Sequence, residues 1–81
     1  MEYDKDKVDE VTLALLYLAM HDENEYGAKA WKGFDWETMN RLHEKRFIGN
    51  PVGKAKSVVV TPEGYKRAKD LFEKHFVKRS R

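Results

Sequence analysis

The apolar positions change period along the chain and divide it into segments. Val8, Val11, Leu15 and Leu18 fall on one stripe at helical spacing, and Leu13, Leu16, Tyr17 and Met20 lie on the other side. Asp4 or Asp6 can cap this first helix, with Asp9 and Glu10 in its first turn, and it runs to about Met20 or His21. His21–Gly33 reads as a linker, acidic and then rich in Gly and Ala, with one helical turn at Ala28–Trp31 stopped by Gly33. Asp35 caps a helix from Trp36 to about Arg46, whose apolar stripe is Trp36, Met39 and Leu42 or His43. Ile48–Pro51 then reads as a short strand, Val52–Lys56 as a loop, and Ser57–Thr61 as a strand with Val58 and Val60 on one face. Thr61, Pro62 and Glu63 form a helix start, after which Tyr65, Ala68, Phe72 and Phe76 recur at three- and four-residue spacing beside Leu71. The tail from Val77 to Arg81 is basic and expected to fray.

Eighty-one residues make one domain, 1–81, with a core that removes about 60% of the unfolded surface from water. With no cysteine, neither a disulfide nor a cysteine zinc site can staple it. Glu2, Asp4 and Asp6 do not suit a signal peptide, and Val11–Met20 is too short to span a bilayer, so the expectation is a cytoplasmic protein with no membrane contact. The net charge of +2 hides an asymmetry: residues 1–25 carry −6 and residues 26–81 carry +8. Such a division suits an anionic partner for the basic part, self-association of the two parts, or simply two solvated surfaces.

Catalysis finds little footing. His21, His43 and His75 are scattered, the second His of an HExxH motif is missing after His43-Glu44, and Ser57 and Ser80 are poor nucleophile candidates. No cofactor or metal site is expected; His21, Asp22 and Glu23 are adjacent and read as a polar helix end. Nucleic-acid binding has more support. Lys54 and Lys56 would occupy the tip of a hairpin, where a wing touches phosphate, and Asn40, Arg41 and Lys45 would lie near the groove. Against it, the helix from Asp35 to Arg46 is neutral overall, with Glu37 near its N-terminus. Trp31, Phe34 and Trp36 lie within six residues and suit a core, an interface anchor or, least well, base stacking.

The run Glu44-Lys45-Arg46-Phe47-Ile48, followed by Val60, Thr61, Glu63 and Gly64, resembles the wing region of bacterial winged-helix regulators. The whole chain resembles a family of short bacterial proteins of unknown function, with AWKGFDW, RLHEK and PVGKAKSVVVT as signature runs. The resemblance implies an α+β, winged-helix-like fold with three main helices, a two-stranded β-hairpin wing and a truncated helix-turn-helix. It also puts Arg46 where a glycine usually follows the recognition helix, at a cost of about 1 kcal/mol if that position is left-handed. Two functions follow as expectations: a non-enzymatic binder of duplex DNA, or a protein-interaction module of the same shape. A homodimer through the first helix is expected, with Leu13, Leu16, Tyr17 and Met20 at the contact; Trp31 and Trp36 are further interface candidates.

Overall fold

A computed structural model describes residues 1–78, so the last residues of the expected basic tail lie outside the described part. The chain runs α1 (Lys5–Leu18), β1 (Met20–Asn24), β2 (Gly27–Trp31), α2 (Trp36–Glu44), β3 (Ser57–Val60) and α3 (Pro62–Phe76). Three helices and a three-stranded antiparallel sheet of order β1-β2-β3 make an α+β fold, consistent with a winged-helix-like arrangement.

Each helix begins where its cap residue dictates. The Asp4 carboxylate accepts from the Lys7 amide at 3.1 Å, and Asp35 accepts from the Thr38 amide at 3.1 Å and its hydroxyl at 2.8 Å. Thr61 Oγ accepts from the Gly64 amide at 2.9 Å while its hydroxyl reaches back to the Arg46 and Phe47 carbonyls, tying the start of α3 to the end of α2. Gly64 is required there, because a Cβ would meet the Phe47 carbonyl oxygen.

The expected linker is corrected to a hairpin. His21–Gly33 contains all of β1 but Met20 and all of β2, and Ala28–Trp31 is strand rather than a helical turn. Ala28 and Ala30 point inward and Lys29 and Trp31 outward, a period of two written in small residues. Small side chains suit a strand packed beneath helices; both alanines are buried, and Gly27, at φ +125°, lies so close to the Val60 carbonyl that no side chain fits. Asp22 at φ +52° and the Asn24 side chain, which accepts from the Tyr26 amide at 2.7 Å, shape the bulged turn. β1 is the terminal strand of the sheet, and beyond Met20 every residue of it is exposed.

The expected wing belongs to a larger, three-stranded sheet. β3 pairs with β2 on one side, and on the other it meets a single bridge, Ile48 to Val60, supported by the Gly49 amide donating to the Val59 carbonyl at 2.8 Å. Pro51 has no N–H to extend that pairing and is instead buried. No helix stands between α1 and α2, so the helix-turn-helix lacks its first member.

One core joins all elements. Leu13 and Leu16 of α1, Met39 and Leu42 of α2, Ile48, Val58 and Val60, and Ala68 and Leu71 of α3 are buried together. Leu13 and Leu16, expected at an interface between chains, therefore lie inside the monomer. Tyr17 and Met20 pack against the same core, with Tyr17 placed 5.9 Å from Tyr65 and 5.3 Å from Phe72 between ring centroids. The cover expected from a second chain on this side of α1 comes from α3.

Candidate functional site

The cations expected to face nucleic acid divide into two groups. Arg41 and Lys45 lie on the flank of α2 that meets α1, one helical turn apart, and both hold Asp9. Arg41 Nε donates to the two Asp9 oxygens at 2.9 and 3.0 Å, its Nη2 lies 2.8 Å from Oδ1, and Lys45 Nζ donates to Oδ2 at 2.8 Å. Arg41 also donates to the Thr38 hydroxyl at 3.1 Å, and Lys45 lies 3.6 Å from Asp6. Asp9 is 2% exposed. Burial raises its pKa, but the hydrogen bonds and charges of Arg41 and Lys45 outweigh this and hold the carboxyl below its ordinary range. The reciprocal hydrogen bonds raise Arg41 and Lys45 despite their partial desolvation. With Asp6 included, the four charges cancel.

Helical spacing fixes what α2 offers to solvent. Thr38, Met39 and Leu42 are buried, and the opposite arc carries Trp36, Glu37, Asn40 and Glu44. Trp36, Glu37 and Glu44 are exposed and Asn40 is half-buried, so this surface is aromatic and acidic.

Lys54 and Lys56 are exposed on the 50–56 loop. The loop is anchored from below by a residue the sequence reading did not single out for this role. Lys32 Nζ donates to the carbonyls of Pro51 at 2.7 Å and Gly53 at 3.0 Å, and the Lys32 amide donates to the Lys56 carbonyl at 3.1 Å. Sequence offers a faint signal for this: a lone lysine just after a strand, 19 residues from a Gly/Pro loop. Trp31 and Trp36 are each 55% exposed. Trp31 lies over Gly33, whose hydrogen leaves room for the indole, and 6.5 Å from the Phe34 ring.

The three histidines sit on separate elements. His21 pairs with Asp22, His43 Nδ1 lies 3.2 Å from the Ile48 carbonyl, and His75 Nε2 lies 3.6 Å from Glu10. Among the described residues no group of three His, Cys, Asp or Glu could hold a metal ion, and no helix is long and apolar enough to cross a membrane. A cleft of about 360 Å³ lies between the β1–β2 turn and α3, where the Tyr65 hydroxyl donates to Glu23 at 3.2 Å. Desolvation and the Glu23 carboxylate both raise the Tyr65 pKa.

The chain is 50% identical over 78 residues to the uncharacterized protein y4hR of Sinorhizobium fredii (strain NBRC 101917 / NGR234), an alignment covering 96% of this chain and all of that one. No solved structure matches it. Residues 4–78 match a domain family of unknown function, and the chain belongs to that family, DUF6429.

Proposed function

We propose that this chain is a non-enzymatic protein-interaction module of winged-helix shape. The observation that carries the reading is the commitment of Arg41 and Lys45 to Asp9, which leaves Trp36, Glu37, Asn40 and Glu44 as the outward face of α2. A helix inserted in a groove of DNA meets phosphates on both sides, and two glutamates there oppose it. The same face suits a protein surface in which an apolar pocket is ringed by Lys or Arg. Trp36, with Trp31 and Phe34 nearby in the chain, would be the anchor, since exposed tryptophans dominate contact energies.

The second reading, binding of duplex DNA, rests on Lys54 and Lys56, exposed on a loop that Lys32 holds in place. A titration against random duplex DNA from low to physiological salt separates the two. The interaction module shows no salt-dependent binding. Affinity that falls steeply with salt, with a smaller slope in Lys54→Ala/Lys56→Ala, would overturn the proposal in favour of DNA. On the positive side, a protein partner recovered by the chain should be lost with Trp36→Ala and kept with Lys54→Ala/Lys56→Ala.

A further inference from the structure

The first helix has an apolar arc that the rest of the described chain covers only in part, and that ends in an exposed leucine. Asp9, Thr12, Leu13, Ala14 and Leu16 turn inward. At 3.6 residues per turn, Val8, Val11, Leu15 and Leu18 then share the opposite, outward arc. Leu18 is 68% exposed, and Val8, Val11 and Leu15 are half-buried. From Val8 to Leu18 this arc carries no charge. The spacing of three, four and three residues is that of two heptads of a coiled-coil seam, about 15 Å long.

We infer that this seam pairs with the same seam of a second copy, α1 against α1, antiparallel about a two-fold axis. The stripe is self-complementary only in that direction. At its C-terminal end Leu18 projects as a knob. At its N-terminal end Tyr3, Val8, Val11 and Thr12, with the stems of Asp4 and Lys7, line a hollow of about 410 Å³. Antiparallel pairing puts each Leu18 into the other chain's hollow and sets Val11 against Leu15. The other helices offer no rival seam: the outward arc of α2 carries Glu37 and Glu44, and that of α3 carries Lys66, Lys69, Asp70 and Glu73. This surface is separate from the aromatic face assigned above, and the pairing stands whether or not that reading does.

Sedimentation equilibrium from low to high micromolar protein tests it. The mass should rise to that of two 9.6 kDa chains. Leu18→Glu, at an exposed position, should return it to one chain with an unchanged circular dichroism spectrum. Val59→Glu, on the outer face of the sheet, and Trp36→Ala should leave the dimer intact. The chain has no cysteine, so an equimolar mixture of Val8→Cys and Leu18→Cys proteins should form a disulfide between the two variants rather than within either. A monomer at high micromolar concentration, a dimer that survives Leu18→Glu, or cross-linking confined to like variants would each overturn the inference.

Discussion

Arg46 occupies the first position after the cap of α2 and has φ +66°. Its amide donates to the His43 carbonyl and the Phe47 amide to the Leu42 carbonyl, the paired bonds of a Schellman ending, normally built on glycine. The strain read from the sequence at this position is therefore present. With its side chain exposed and no hydrogen bond to it among the described residues, Arg46→Gly should raise stability by about 1 kcal/mol. That is an increase of roughly 4–8 °C in Tm for a domain of this size, and an unchanged or lower melting temperature would refute it. Asp9 is the opposite case, a residue whose sequence context suggested only a charge in the first turn of a helix. Its partners lie 32 and 36 residues away, a separation that no local pattern reports. Asp9→Ala should cost about 3 kcal/mol, at the low end for a broken buried pair because Arg41 and Lys45 can still reach water. Since the folded pKa of Asp9 lies below the ordinary 3.8, its contribution is complete above that value and is lost as pH falls through the lower folded one. Urea midpoints measured down through this range should fall less steeply in Asp9→Ala than in the parent chain.

At the scale of elements, the helices were legible and two of the three strands were not. α1, α2 and α3 announce themselves by caps and by apolar stripes, and β3 by three consecutive valines. β1 reads His21-Asp22-Glu23-Asn24 after Met20, an exposed edge with nothing to alternate, and β2 buries alanines whose size reflects close packing rather than hydrophobic weight. β2 is specified by what covers it, and β1 by its pairing with β2. The same holds for α1: two apolar arcs were visible, but which one the monomer buries depends on where α3 lands, and it lands on Leu13, Leu16 and Tyr17. The candidate cations were legible as residues but not as partners, because pairing of Arg41 and Lys45 with Asp9 is tertiary. The loop after Ile48 shows the same dependence. Lys32→Met, which keeps most of the apolar stem, removes two charge-assisted bonds to the Pro51 and Gly53 carbonyls. A loss of about 1 kcal/mol is expected, together with faster amide hydrogen exchange through Val52–Lys56. Exchange that stays unchanged in that loop would show that its shape does not depend on Lys32.

On the scale of the molecule, the charge division noted in the sequence has a structural expression. The acids of the first 25 residues split between α1, where Asp9 and Glu10 bind cations of α2 and α3, and the exposed β1–β2 turn. The basic excess of the rest is thus partly paired within the fold, through Arg41, Lys45 and Arg67. The acidic turn belongs to a sheet whose outermost strand leaves a row of backbone donors and acceptors open. Such a row is a template on which any extended chain can add itself. Asp22, Glu23 and Glu25 make that template repel its own kind, because a second β1 laid alongside would bring acid against acid. The fold guards its weakest border with charge instead of with another element, which leaves Val, Ile or Phe at these positions as the changes most apt to turn the domain into a seed for stacking.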